Sequence, residues 1–148
     1  MTSTRTAAAK LLVVDDSATV LRVMEAVLTE AGYDVVCLDG AGEVLETARR
    51  EAPDLVFVDF AMPGVNGFGV CQALGVDPEV DSIPIVLMST RGDPVGERFV
   101  REMGIVDHIT KPFAPEALLA LVQHILRKAR AEGGARVWFT LPLKPQDE

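Results

Sequence analysis

Five short apolar segments divide the chain at regular intervals, and polar or acidic residues follow most of them. The clearest segment is Leu55–Val58, which ends in Asp59 and is followed by a Pro63-Gly64 turn. A run this short and continuous is typical of a strand buried on both faces of a parallel sheet. The same pattern predicts four more strands, at Lys10–Asp16, Asp34–Leu38, Ile83–Met88 and Ile105–Ile109.

Between these strands, apolar residues recur at three- and four-residue spacing, which is typical of helices packed on one side. Ser17 can cap the first helix, and Ala31-Gly32 ends it. The spacing predicts four further helices, over residues 41–51, 66–76, 94–103 and 114–130. Strands that alternate with helices in this way predict an α/β domain, with a parallel sheet covered by helices on both faces.

The chemically informative residues stand at one kind of position, the carboxyl end of a predicted strand. They are Asp15 and Asp16 after the first strand, Asp59 at the end of the third, Ser89 after the fourth and Lys111 after the fifth. In isolation each has an ordinary role as a strand-end acid, a helix cap or a loop lysine. In an open α/β sheet, however, this edge is where ligands bind.

Three carboxylates gathered at one edge would repel each other, and a bound hard cation would relieve that repulsion. A few oxygen ligands, with room left for water and phosphate, fit Mg²⁺ better than a full Ca²⁺ cage. Lys111 would add positive charge and Ser89 a hydroxyl donor. Such a set suits phosphoryl transfer, with Asp59 as the nucleophile that forms an aspartyl phosphate.

Composition narrows the classes of partner. The 148 residues predict one domain, and a net charge of −8 with a pI near 4.7 argues against nucleic acid or an anionic membrane as a partner. A basic protein surface or a metal ion is expected instead. The N-terminus has no apolar signal-peptide core, and no segment is apolar over the length of a membrane span. Cys37 and Cys71 lie in apolar segments, which predicts reduced thiols and a cytoplasmic protein.

Four motifs carry a resemblance to the receiver domain of two-component response regulators. They are Leu-Val-Val-Asp-Asp-Ser (12–17), Val-Asp-Phe-Ala-Met-Pro-Gly (58–64), Val-Leu-Met-Ser-Thr-Arg-Gly-Asp (86–93) and Thr-Lys-Pro-Phe (110–113). The resemblance covers residues 10–130. It implies a doubly wound, flavodoxin-like (CheY-like) fold of five βα units with strand order 2-1-3-4-5.

The resemblance also implies roles for the residues at the sheet edge. Asp59 would accept a phosphoryl group from a histidine kinase or a phosphotransfer protein. The Mg²⁺ ligands would be Asp59, Asp16, Asp15 largely through water, and the backbone carbonyl of Ala61. Bound Mg²⁺ is therefore the expected cofactor.

A second group of residues would sense the phosphoryl group. Lys111 would pair with Asp59 or its phosphate, Ser89 would move towards the phosphate, and the peptide before Pro112 would be cis. Two positions depart from the family pattern. Thr90 stands where receivers usually have Ala or Gly, and a β-branched side chain there would crowd the acceptor. His108 stands where they usually have Tyr or Phe, and a histidine can take up charge near neutral pH.

These observations predict a stand-alone receiver domain at residues 10–131, preceded by a flexible arm at 1–9. It would signal by phosphorylation-dependent docking to a downstream protein that the sequence does not identify, and it would catalyse only its own phosphorylation and dephosphorylation. Alternatives on the same fold are a phosphate-independent binding module and a receiver that shuttles or stores phosphate. A flavodoxin-like redox protein is disfavoured because Asp15 and Asp16 would repel a cofactor phosphate. A phosphatase of the haloacid dehalogenase type is disfavoured because Ala61 replaces its second Asp.

Residues 132–148 lie beyond the resemblance. Alternating apolar and polar positions from Arg136 to Leu143 predict a strand, and the segment is weakly similar to the closing strand of histidine-kinase ATP-binding domains. No nucleotide-binding motif accompanies it. The strand is expected to dock on the edge of the fifth strand or on a neighbouring molecule. A homodimer is expected through this segment or through the surface of the fourth helix, fifth strand and fifth helix. An inert appendix is the alternative.

Overall fold

The computed structural model describes residues 8–59, 61–62, 65–90, 108–111 and 114–131. Their elements in chain order are β1 (Lys10–Val14), α1 (Ala18–Glu30), β2 (Asp34–Leu38), α2 (Val44–Glu51), β3 (Leu55–Asp59), β4 (Ala61–Met62), β5 (Val65–Asn66), α3 (Gly67–Val76), β6 (Ile85–Thr90), β7 (His108–Lys111) and α4 (Pro115–Ala131).

Five of these strands form one parallel sheet in the order β2-β1-β3-β6-β7. This arrangement confirms the predicted fold class and strand order. The register aligns the strand ends that carry the acids, because Val14 of β1 lies opposite Val58 of β3. Asp59 lies opposite Met88 of β6, which in turn lies opposite Ile109 of β7.

Helices cover the sheet on both faces, as the alternation of elements predicts. Successive residues of a strand point to opposite faces, so β3 contributes Leu55 and Phe57 to one core cluster and Val56 and Val58 to the other. The first cluster is packed by α1 and α4, and the second by α2 and α3. All four of these β3 side chains are fully buried, which explains the continuous apolar run in the sequence.

Residues at the ends of α1 and α2 explain where these two helices begin or stop. The Ser17 side chain accepts a hydrogen bond from the Val20 N–H at 3.2 Å and caps α1. Gly32 follows α1 with a φ of 102°, a conformation that glycine adopts without steric cost. Ala52 ends α2 in the left-handed region, with a φ of 48°, directly before Pro53. Both helices therefore stop where the sequence predicts.

Some predicted boundaries are wrong by a few residues. The second helix begins at Val44 rather than at residue 41, and the strand predicted from Ile83 begins at Ile85. The Ile83 N–H instead donates to the Val80 carbonyl at 3.1 Å in a turn, and Pro84 follows. The predicted arm up to residue 7, the helix at 94–103, the beginning of the fifth strand at 105–107 and the segment 132–148 lie outside the described residues.

An ion pair connects α2 to the turn after α3. Asp77, after α3, is buried and accepts from the Arg49 side chain of α2, with the Nε–Oδ2 distance 2.9 Å. Its other carboxylate oxygen accepts from the Glu79 N–H at 2.9 Å.

In the described part of the chain, no helix combines the length and apolarity needed to cross a membrane.

Replacing Thr47 by valine is expected to raise the free energy of unfolding. Thr47 lies on the buried side of α2 and is 1% exposed, and its hydroxyl oxygen has no hydrogen-bond partner among the described residues. Leaving such a group unsatisfied costs about 1–3 kcal/mol, and valine keeps the shape without the polar atom. Urea denaturation of Thr47→Val measures the gain. Thr47→Ser, which keeps the hydroxyl and loses the methyl group, is expected to be less stable than wild type, and a destabilised Thr47→Val would contradict the argument.

Asp77 is expected to make stability depend on pH in the acidic range. The Glu79 N–H and the Arg49 guanidinium hold the pKa of Asp77 below its ordinary value, because both favour the carboxylate. A lowered folded-state pKa stabilises the protein above the unfolded pKa of about 3.9, and this contribution is lost as pH falls through the folded value. Asp77→Asn should therefore have a lower free energy of unfolding than wild type at pH 7. This difference in the free energy of unfolding should shrink as the pH falls.

The matched control for Asp77 is Glu30→Gln, which neutralises an exposed acid at the end of α1. Denaturant titrations of both variants and of wild type at several pH values between about 2 and 7 make the comparison, with the range taken around the carboxylate pKa values. An Asp77→Asn deficit that stays constant down to the lowest pH would show that the ionised pair with Arg49 does not stabilise the fold.

Candidate functional site

The ends of β1 and β3 bring two acids to the same edge of the sheet. Because Val14 lies opposite Val58, the next residues, Asp15 and Asp59, occupy the same level of adjacent strand ends. Asp15 is fully buried and Asp59 is 4% exposed, whereas Asp16 is exposed. Two carboxylates thus lie within the protein, and the third stands at the surface beside them.

All three carboxylates converge. One carboxylate oxygen from each of Asp15, Asp16 and Asp59 lies within 4.8 Å of the others. This confirms the expectation, drawn from strand ends alone, that the three acids meet. Like charges this close repel each other, so the arrangement is favourable when a cation is present.

Backbone groups hold Asp15 in place. One of its carboxylate oxygens accepts from the Ser17 N–H at 2.9 Å, while its own N–H donates to the Leu38 carbonyl of β2 at 3.1 Å. The carboxylate thus lies at the N-terminus of α1, where the helix dipole favours negative charge. Ser17 therefore has two roles, because its side chain caps α1 and its backbone orients Asp15.

The donor set suits a hard divalent cation. All three side chains offer oxygen, the ligand atom that Mg²⁺ and Ca²⁺ prefer. Three carboxylates with one oxygen each leave about half of the positions of a six-coordinate ion to water or substrate oxygens, which is how proteins commonly bind Mg²⁺. The residues present therefore fit the Mg²⁺ that the resemblance implies, with Asp15, Asp16 and Asp59 as its side-chain ligands.

The other predicted site residues lie on the neighbouring strands at nearby levels. Ser89 directly follows Met88, the residue opposite Asp59, and lies opposite Thr110. Thr90 and Lys111 lie opposite each other one residue further along. β6 extends to Thr90 and β7 to Lys111, so Ser89 and Lys111 belong to strands rather than follow them.

Three predicted residues remain: His108 on β7, Ala61 on β4, and Pro112. His108 lies opposite Leu87, one level further into the sheet than Asp59. Ala61 begins β4, two residues after Asp59, in keeping with a backbone role near the acids. Pro112, for which a cis peptide is predicted, lies outside the described residues.

The sequence analysis does not predict a small hairpin that lies beside the site. Ala61 pairs with Asn66 and Met62 with Val65 in two antiparallel strands, β4 and β5. The sequence analysis predicts only a turn there. A signal was present, because Pro63-Gly64 stands between apolar Met62 and Val65, but two-residue strands are too short to show alternation. The hairpin carries the chain from Asp59 directly into α3.

Comparison with known proteins agrees with this geometry. The family model described as response regulator receiver domain matches residues 11–123. Protein PilH of Pseudomonas aeruginosa is 34% identical over 118 residues, which cover 80% of this chain and 98% of PilH. The probable transcriptional regulator ycf27 of Pyropia yezoensis is 38% identical over 120 residues, which cover 81% of this chain. These residues amount to 48% of that regulator, so the chain spans about half the length of several curated relatives.

Solved structures show the same fold. The chemotaxis protein CheY4 of Vibrio cholerae has a TM-score of 0.74 and 30% identity, over 80% of this chain and 99% of CheY4. A putative response regulator from Chloroflexus aurantiacus has a TM-score of 0.75 and 32% identity, over 81% of this chain and 98% of that one. Both are matched over nearly their whole length.

The acid cluster is expected to bind Mg²⁺ through Asp16. Asp16→Asn removes an exposed carboxylate, so the fold should persist. The affinity for Mg²⁺ should fall by at least roughly 10–100-fold, which is the loss seen when a residue that supports a metal ligand is replaced. Isothermal titration calorimetry with MgCl₂ measures the affinity. Asp39→Asn, which neutralises an exposed acid after β2, is the matched control and should bind as wild type does. Equal affinities for the two variants would contradict a site built on Asp16.

Proposed function

The chain belongs to the response regulator receiver family, and on that premise we propose that it takes a phosphoryl group on Asp59 and signals by altered protein docking. The observation that carries this proposal is the convergence of three carboxylates at the carboxyl edge of the sheet. A bound divalent cation would relieve the repulsion between the carboxylates of such a cluster. Phosphoryl transfer is the chemistry in which a cation and a carboxylate nucleophile act together.

Asp59 suits the nucleophile better than its two neighbours. Asp15 is held by the Ser17 N–H, and Asp16 is exposed, which suits contact with a hydrated ion. Asp59 ends β3, the central strand of the sheet, so strand ends flank it on both sides. A nearly buried position also limits the access of water to the acyl phosphate that would form.

The proposed reaction is one displacement at phosphorus. A carboxylate oxygen of Asp59 attacks, the new O–P bond forms, and the bond from phosphorus to the donor breaks, with its electron pair leaving on the donor. That donor is a phosphohistidine of a kinase or phosphotransfer protein, or a small acyl phosphate. Mg²⁺ held by the three aspartates, with the Ala61 carbonyl as a further ligand, would supply positive charge next to the phosphoryl oxygens.

Residues on β6 and β7 complete the proposal. Lys111 would neutralise the phosphoryl group, and Ser89 would donate a hydrogen bond to it. Thr90 would narrow access to Asp59, and His108 would couple the site to the surface of β6 and β7. The register supports these roles, since Ser89, Thr90 and Lys111 lie within two residues of the level of Asp59.

The partners belong to the same proposal. A histidine kinase or a phosphotransfer protein would supply the phosphoryl group, and a downstream protein would bind the phosphorylated form. A net charge of −8 favours a basic surface on that partner. Self-association of the phosphorylated form is a further part of the proposal. We propose no enzymatic activity beyond the chain's own phosphorylation and dephosphorylation, in a cytoplasmic setting.

Asp59→Asn is expected to abolish phosphorylation. Incubation with acetyl phosphate and Mg²⁺, followed by intact-mass measurement, should show one added phosphoryl group on wild type and none on the variant. Asp39→Asn keeps the acid cluster and should be labelled as wild type is. Labelling of Asp59→Asn at the wild-type level would overturn the assignment. Unlabelled wild type that nevertheless binds Mg²⁺ would favour the phosphate-independent binding module.

A further inference from the structure

A groove lies at the amino edge of the sheet, at the opposite end from the acid cluster. It has a volume of about 270 Å³ and lies between the beginning of β1, the turn from α1 into β2, and the C-terminal half of α4. Tyr33, Gln123 and Arg127 line it with polar side chains, while Ala9 and Leu126 connect it to the core under α1 and α4. The surface that the groove exposes is mainly polar, which favours a polar ligand.

The three polar side chains are not engaged by the rest of the described chain. The Tyr33 hydroxyl, the Gln123 amide and the Arg127 guanidinium make no hydrogen bond or ion pair with any other described residue. Unengaged polar groups are ordinary when they are scattered over a surface, but these three line one groove. The groove therefore has hydrogen-bond donors available to a ligand.

The donors belong to two different walls of the groove. Gln123 and Arg127 are four residues apart on α4, so they lie on the same side of that helix, one turn apart. Tyr33 belongs to the turn between α1 and β2, where its N–H donates to the Leu28 carbonyl at 3.1 Å. The Tyr33 side chain is half-buried and packs against the core, so less of its rotamer freedom remains to be lost on ligand binding.

Charge decides which kind of polar ligand suits the groove. Arg127 is the one charged residue among the described residues that line it. A guanidinium donates two parallel hydrogen bonds to a carboxylate or a phosphate, and a tyrosine hydroxyl and a glutamine amide can add donors. The chain as a whole has a net charge of −8, which repels anions, so direct contacts with these groups must provide the affinity. The volume suits a small anion, since pockets for drug-sized ligands have about 300–1,000 Å³.

We propose that this groove binds a small oxyanion through the Arg127 guanidinium, with the Tyr33 hydroxyl and the Gln123 amide as further donors. The ligand is a small molecule that carries a carboxylate or a phosphate group. The groove lies at the other end of the strands from Asp59, so this binding is independent of the phosphorylation proposed there.

The test is an NMR titration of the full chain without Mg²⁺, first with sodium succinate and then, on a fresh sample, with inorganic phosphate. Ionic strength is held constant with NaCl. At least one anion should produce saturable shifts of the Tyr33 amide, the Gln123 side-chain amide and the Arg127 Nε–H. Saturation with succinate identifies a carboxylate site, and saturation with phosphate identifies a phosphate site.

Variants test the individual donors. Arg127→Gln and Tyr33→Phe should each weaken binding by about tenfold or more, because each removes hydrogen bonds to a charged ligand. Arg127→Lys keeps the charge but loses the planar fork, so it should retain only part of the affinity. Arg22→Gln, which removes an exposed guanidinium from α1, is the matched control and should bind as wild type does.

Several results would overturn the proposal. They are shifts that do not saturate with either anion, saturable shifts confined to residues 15, 16 and 59, and wild-type affinity in Arg127→Gln. Binding of a glutamate-containing peptide in the absence of binding by both small anions would also overturn it, since the groove would then serve a protein partner. Circular dichroism checks that each variant folds, and for a variant that does not fold the shifts of wild type and Arg127→Lys decide.

Discussion

The parallel pairing of β1 with β3 is the constraint on which the rest of this structure depends. It places Val14 opposite Val58, so two acids leave the sheet at the same level, and a third follows them. Burial in the core offsets the repulsion between these acids, because the residues before them are fully buried on both faces of the sheet. A large apolar core can therefore hold like charges together at a place where electrostatics alone would separate them.

The two edges of the sheet differ in their electrostatics. At the amino edge Lys10 meets Glu51, with 2.8 Å between Nζ and Oε1, and its backbone N–H donates to Asp54 at 2.8 Å. These pairs connect the beginning of β1 to the end of α2 and the approach to β3. At the carboxyl edge Asp15, Asp16 and Asp59 lie close together. Opposite charges thus meet at one edge, and three like charges gather at the other, where a divalent cation would relieve their mutual repulsion.

The turn after α3 is held by specific polar contacts as well as by the core, in which Val80 is buried. Asp77 is buried between the Arg49 side chain and the Glu79 N–H, which fixes the turn between α3 and β6. β6 follows this turn, and its register with β3 places Ser89 next to the level of Asp59.

The sequence by itself determined the five strands of the parallel sheet, the helix ends at Ser17 and Gly32, and the edge at which the acids gather. Buried parallel strands must be continuously apolar, and caps need particular side chains, so both leave local signals. The strand order followed from resemblance rather than from local pattern. Tertiary structure alone decided the 4.8 Å convergence of Asp15, Asp16 and Asp59, the hairpin of β4 and β5, the unsatisfied hydroxyl of Thr47 and the pairing of Arg49 with Asp77. Each of these depends on residues that are distant in the chain or on elements too short to show a period, and only the packed sheet brings them together.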